Sequence, residues 1–202
     1  MNEQILIKTL PKGKLTADHY ERVTSPMPEI QAGEVLVKTD AFAITAGTRA
    51  GLQGSASYAG APTTGIVMGS TGVGTVVASN AEGVGVGDRV LTSTGWQQYS
   101  VQKPSTVEII PEGHDARHYL GPMGVNGLTA YFGLLSVGDA HSGQTVMVSA
   151  AAGSVGHLVG QMAKIQGCTV VGVAGSDQKN DTLVSKLGFD AAVNYKVGDY
   201  RA

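Results

Sequence analysis

Residues 144–179 read QTVMVSAAAGSVGHLVGQMAKIQGCTVVGVAGSDQK, and the chain continues NDTLVSKLGFDAAVNY to Tyr195. The hydrophobic period switches within this stretch. Thr145 to Ser149 is a short apolar run of strand type, Ala150 to Gly156 is a turn of small residues, and Val155, Leu158, Val159, Met162, Ala163 and Ile165 recur at helical spacing until Gly167 stops them. Thr169 to Ala174 is a second strand. Two strands joined by a helix form a βαβ unit, since a parallel pair needs a crossover of this length.

The turn carries the chemistry. Set against the pattern G-x-G-x-x-G, it supplies Ala151, Gly153 and Gly156, so the first glycine is replaced and the other two stand in place. Gly153 would let the backbone approach a pyrophosphate, Gly156 would let the helix pack closely on the strand, and the helix start offers unpaired N–H groups and a positive dipole end. Small-residue turns also arise wherever a helix packs tightly on a sheet, so the glycines alone leave both readings open. The end of the second strand adds to the first. Folds that prefer NAD place an Asp or Glu there for the ribose 2′-hydroxyl, whereas this chain has Ala174, Gly175 and Ser176, with Lys179 in the first turn of the next helix. That pattern favours NADP, whose 2′-phosphate needs room and a cation. The alternative is that Ser176 or Asp177 simply caps the helix and Lys179 is a solvated helix residue.

Composition bounds the rest. The 202 residues can bury a substantial core and suffice for one large or two small domains. Net charge is −2 with 15% charged residues, which leaves no electrostatic footprint for nucleic acid or an anionic membrane. The 29 glycines and few aromatics suit a β-rich domain followed by a nucleotide fold better than a helical bundle. A single cysteine, Cys168, forms no internal disulfide or thiolate metal site; ordinary packing beside the second strand and a cytoplasmic, reducing setting are expected. The N-terminus lacks the basic and apolar pattern of a leader, and no run approaches bilayer length.

Upstream, Gln4 to Leu10 alternates as a strand, Thr16 to Glu29 is a polar connection, and Glu34 to Thr45 is strongly strand-forming. Ala46 to Thr64 is rich in Gly, Ala and Ser without a sustained period, which predicts a long loop of the kind that often carries function. Its notable side chains are Arg49 and Tyr58; either could line a substrate cleft, or be a surface Arg and a packed Tyr. Gly65 to Pro111 shows short strands broken by glycine, the texture of a small β-barrel, and its glycine-rich pieces neither follow a strand nor open a helix as a phosphate loop would. Asp115 to Leu120 and Gly127 to Val137 are helical pieces. The domain boundary is expected at 117/118.

The chain resembles the medium-chain dehydrogenase/reductase superfamily, and within it the zinc-independent, NADPH-dependent alkenal and prostaglandin (leukotriene B4 12-hydroxydehydrogenase-like) reductases. The resemblance rests on Gly127-Leu-Thr-Ala-Tyr-Phe-Gly-Leu134, Ala150-Ala-Ala-Gly-Ser-Val-Gly156, Gly160-Gln-Met-Ala-Lys164, Gly175-Ser-Asp-Gln-Lys179, Lys186-Leu-Gly-Phe-Asp190 and Asn194-Tyr-Lys196. It implies an α/β protein: a GroES-like β-barrel over residues 1–117 that holds substrate, then a Rossmann domain over 118–202. It further implies that Gly153, Ser154, Val155 and Gly156 hold the pyrophosphate, Lys179 the 2′-phosphate and Tyr195 the adenosine side, with Thr129 near the nicotinamide. Zinc-dependent relatives place a Cys at about Thr45 and Gly-His-Glu at about Gly69-Ser70-Thr71, so two metal ligands are missing. His114 and His118, spaced i, i+4, either start a solvated helix or form half of a metal site with no third ligand in sight.

There are departures. Thr45-Ala-Gly-Thr-Arg49 keeps only the Arg of the family's Asp-Pro-x-Met-Arg, and Gly124-Val-Asn-Gly127 replaces Gly-Met-Pro-Gly. Three strands are visible where the fold has about six, so the expectation is a fragment of a longer product, or a sheet completed by another chain. The implied activity is NADPH-dependent reduction of the C=C bond of an α,β-unsaturated ketone or aldehyde. A quinone reductase of the same superfamily and a non-catalytic NADP-binding module are the alternatives. No His or carboxylate stands out as the proton donor, and none is assigned. A homodimer is the family's usual state.

Overall fold

The computed structural model describes residues 1–54 and 61–197, so Tyr58 lies outside the described residues. The chain forms two compact units, Met1–Leu120 and Gly121–Ala202.

In the first unit, β1 (Asn2–Ile7) pairs antiparallel with β2 (Tyr20–Ser25), Asn2 opposite Ser25 and Ile7 opposite Tyr20. β2 occupies a stretch that reads as polar connection. Its alternation is masked because Glu21, Arg22 and Thr24 carry no apolar signal; the ladder to β1, an Arg22–Glu3 ion pair at 2.7 Å and the stacking of Tyr20 on Trp96 (5.3 Å between ring centroids) specify it instead. A five-stranded antiparallel sheet follows, built from β3 (Val35–Phe42), β4 (Gly72–Ser79), β5 (Arg89–Thr92), β6 (Tyr99–Gln102) and β7 (Glu108–Ile109) in the order β6-β3-β4-β5-β7. Two isolated bridges, Gln4 to Gln97 and Leu6 to Val67, tie the ribbon to neighbouring segments. Among the described residues these ladders make an open sheet with a flanking ribbon, without closing into a ring. Val35, Val37, Val76 and Val90 are buried on one side of it, the apolar half of the strand alternation.

Ala46–Leu52 is a short helix, α1, where the lack of period predicts only loop. Two glycines hide the helical spacing. The helix starts because Thr45 Oγ1 accepts the Thr48 amide at 3.2 Å, and it holds because Leu52 buries against Ile7 and Met68.

The second unit begins with α2 (Val125–Tyr131), which widens into a π-type turn over Phe132–Val137. Then come β8 (Thr145–Ser149), α3 (Gly156–Ile165), β9 (Thr169–Ala174), α4 (Asp177–Leu187) and β10 (Ala191–Asn194). The three strands are parallel in the order β10-β9-β8, so the segment is two successive βαβ units. Val170, Leu183, Ala163, Ala151 and Phe189 form its core. Ile165, the last member of the predicted apolar stripe of α3, is instead 84% exposed, while Gly160 faces inward and the Phe189 ring fills the place of its missing side chain. Cys168 is buried, its thiol donating to the His141 carbonyl at 3.2 Å. α4 is bounded by Ser176, whose side chain accepts the Lys179 amide, and by Gly188 in the left-handed conformation (φ 74°).

The turn into β10 is pinned electrostatically. Lys164 Nζ donates to both carboxylate oxygens of Asp190 at 2.8 Å, and the Val170 amide donates to Oδ2 at 2.6 Å. The ammonium first, and the amide second, hold the Asp190 carboxyl below its usual range. A folded-state pKa below the unfolded one means the contribution is complete above the ordinary value of about 3.9 and is lost as pH falls through the folded value. In melting curves between about pH 6 and pH 2, Asp190→Asn is expected to be less stable than wild type at the upper end, with the gap closing towards the acid end. A gap independent of pH would show that the carboxylate's charge is not what holds this turn.

Candidate functional site

The register of the parallel sheet assembles the site. Ser149 lies beside Val173, and Asn194 beside Ala174, so three loops leave the same carboxyl edge at Ala150, Gly175 and Tyr195. With strands about 4.8 Å apart, the first and third loops start about 10 Å from one another. The carboxyl edge of a parallel sheet is where such folds bind ligands.

The first loop is held by Ala150, whose φ of 49° is in the left-handed region. Its carbonyl accepts the Gly153 amide at 2.8 Å, and the Ala151 amide donates to Val173 on the neighbouring strand at 3.1 Å. The same carbonyl makes Gly156 obligatory. A Cβ there would stand 2.5 Å from Ala150 O and 2.9 Å from Ala151 Cα, whereas at Gly153 it would meet Ala150 O at 3.1 Å. In the first turn of α3 the His157 amide returns to Gly153 O, and those of Leu158 and Val159 to Val155 O. The amides of Ser154, Val155 and Gly156 have no backbone acceptor among the described residues. They border an open cleft of about 440 Å³ whose walls include Met147, Ser149, Gly153 and Val159. A backbone nest at the positive end of a ten-residue helix suits a phosphate group. Sequence reading missed His157, whose Nδ1 is 2.7 Å from Gly153 O and adds a side-chain clamp to the turn. Its position four residues after Gly153 was the available signal.

The second and third loops interlock. Ser176 caps α4, and Lys179 is exposed in its first turn. Asn194 Nδ2 donates to Asp177 Oδ1 at 2.8 Å while Asn194 Oδ1 accepts the Lys196 amide at 3.1 Å, and the Tyr195 amide donates to Ala174 O at 3.2 Å. Tyr195 and Lys196 thereby lie over Gly175, with no carboxylate at positions 174–176.

The remaining candidates are dispersed. Thr129 is on an exposed face of α2, its hydroxyl donating to Val125 O at 2.6 Å. Arg49 is exposed on α1. In the first unit, Phe42 stacks on Trp96 (5.6 Å between ring centroids), and both line a cleft of about 620 Å³ that also exposes Ile44, an aromatic feature the sequence did not announce. Thr45 serves as a helix cap, and Ser70 donates to Ala43 O at 2.5 Å. His114 Nδ1 lies 2.9 Å from the Tyr119 hydroxyl. Among the described residues no group of three or more His, Cys, Asp or Glu is placed to hold a metal ion, and no helix is long and apolar enough to cross a membrane.

Because the Ala150 carbonyl cannot retreat without dragging the buried Ala151, Gly156→Ala is expected to cost about 1–3 kcal/mol in denaturant unfolding. Gly153→Ala, with a looser contact, should cost less than half as much. Equal costs would show that the carbonyl is not the obstacle.

Comparison with known proteins finds relatives for both units. Residues 3–110 match the family model described as the N-terminal domain of oxidoreductase, and residues 154–202 match that described as zinc-binding dehydrogenase. The chain is 41% identical to YfmJ of Bacillus subtilis over 98% of its own length and 58% of that protein's. It is 45% identical to the NADP(+)-dependent 2-alkenal reductase of Nicotiana tabacum, over 68% of this chain and 39% of that one. The crystal structure of CurA from Vibrio vulnificus in complex with NADPH superposes with a TM-score of 0.92 at 34% identity, covering 98% of this chain and 59% of CurA. The chain thus spans little more than half the length of such relatives. With a matched N-terminal oxidoreductase domain, a parallel βαβ segment and these likenesses, the chain belongs to the medium-chain dehydrogenase/reductase superfamily, in the branch of the alkenal and prostaglandin reductases.

Proposed function

We propose that the protein is an NADPH-dependent, zinc-independent reductase of the C=C bond of α,β-unsaturated ketones and aldehydes. The observation that carries the cofactor half is the pairing of an amide-lined turn on α3 with a neighbouring strand end that has no carboxylate and two lysines close by in sequence. NADP-dependent and NADPH-bound relatives support the same reading. NADPH supplies a hydride at C4 of its nicotinamide.

The chain's residues bind and orient. In this reading the amides of Ser154, Val155 and Gly156 receive the pyrophosphate, Gly153 gives it backbone access, and the dipole of α3 adds to the attraction. Lys179 meets the 2′-phosphate, Tyr195 borders the adenosine, and Thr129 stands towards the nicotinamide. The cradle fits such a group, since a side chain at Gly156 would collide with the turn itself. Residues 118–202 then form the cofactor side and residues 1–117 the substrate side, where Arg49 and Tyr58 are the candidates for holding the substrate. Donors that bond the carbonyl oxygen more strongly as it becomes an enolate lower the barrier. A buried thiol at Cys168 is in keeping with a reducing, cytoplasmic setting.

Calorimetry with NADPH and NADH, followed by NADPH consumption with a small enone and with a quinone, tests the proposal. NADPH should bind at least about tenfold more tightly than NADH, as expected for one charge-assisted contact, and the enone should be turned over in preference to the quinone. Binding without turnover of either would favour a cofactor-binding module, and no preference for NADPH would overturn the cofactor reading.

A further inference from the structure

We infer that Lys196, on the loop after β10, is the cation that sets the preference for a 2′-phosphorylated nucleotide, with Lys179 in a supporting place. The inference deepens the NADPH reading and rests on it.

Three observations carry it. First, the backbone of Lys196 is fixed beside the end of β9: its amide donates to Asn194 Oδ1, and the preceding amide, of Tyr195, donates to Ala174 O. Second, the side chain runs back over the strand end. A Cβ built on Gly175 would meet Lys196 Cε at 3.1 Å and the Tyr195 hydroxyl at 3.0 Å, so the space where other folds carry their ribose-binding acid is already taken by a tyrosine and a lysine. Lys196 Nζ lies 5.9 Å from the centre of the Tyr195 ring, a resting place for an ammonium near a π-face. Third, no carboxylate among the described residues pairs with its ammonium. The nearby carboxylate of Asp177 accepts a hydrogen bond from Asn194.

Lys179 differs on the same counts. Its amide is used in capping α4, and its exposed side chain leaves from a helix surface, with no hydrogen bond or ion pair among the described residues that holds it to the strand end. A long side chain free in solvent gives up more rotamer freedom when it grips a phosphate than one already laid along a tyrosine. Gly175 completes the device: its missing side chain both excludes an acid and makes room for Lys196.

The test uses the full 202-residue chain with two small probes, adenosine 2′,5′-bisphosphate and adenosine 5′-monophosphate, which differ by the 2′-phosphate alone and need no nicotinamide site. Wild type should prefer the bisphosphate. Lys196→Ala should lower that preference by about tenfold to a hundredfold while leaving the monophosphate within about twofold, the range for one charge-assisted contact. Lys196→Arg should restore most of it, and Lys179→Ala should lower it less. A Lys196→Ala chain that keeps the wild-type preference, or one that loses both probes equally, overturns the inference; the second result would assign Lys196 a purely structural part. Wild type that does not tell the probes apart would instead overturn the NADPH reading itself.

Discussion

The left-handed backbone at Ala150 is the constraint on which the second unit depends. An alanine at φ 49° carries strain of about 1–3 kcal/mol, and it persists because the next residue is locked: Ala151 is fully buried and its amide is bonded to β9. The turn so fixed aims the Ala150 carbonyl at the start of α3, where it accepts the Gly153 amide and permits only glycine at 156. That close approach sets how far α3 stands from the sheet. The distance, in turn, lets the Phe189 ring occupy the space at Gly160 and so places the turn into β10, which ends in the Asn194-Tyr195-Lys196 loop. The unpaired amides at the start of α3 and the side chains over the end of β9 are thus consequences of one packing chain that begins at a single carbonyl.

What was legible in the sequence follows the strength of local signals. The change from period 2 to period 3.6 and back gave β8, α3 and β9 nearly to their ends, because each buries one face against the same core. β2 was illegible for the opposite reason: it is an exposed ribbon strand, specified by pairing with β1 and by an aromatic stack distant in sequence. α1 was hidden because Gly47 and Gly51 dilute a helix that a cap and one buried leucine suffice to hold. Within the site, the turn could be read because its chemistry is in the backbone and glycine announces it. Lys196 could not be ranked against Lys179, since sequence spacing says which cations are near a strand end and says nothing of which one is laid across it.

The degenerate fingerprint has a physical explanation in the same core. Ala151 stands where the pattern has its first glycine, and a methyl there needs room. β9 provides it: at Gly172 the space for a side chain is already occupied, with Ala151 Cβ 3.1 Å from the position its Cβ would take, and Leu183 and Phe189 closing the other sides. Substituting Gly172 would therefore press on Leu183 and Phe189 as well as on Ala151, and a glycine at 151 would open a void of methyl size beneath the turn. The first glycine of such a motif is replaceable wherever the adjoining strand yields the space. Gly156 faces a backbone carbonyl that no neighbour's substitution can remove, and that difference explains why this chain varies at one position of the pattern and keeps the other.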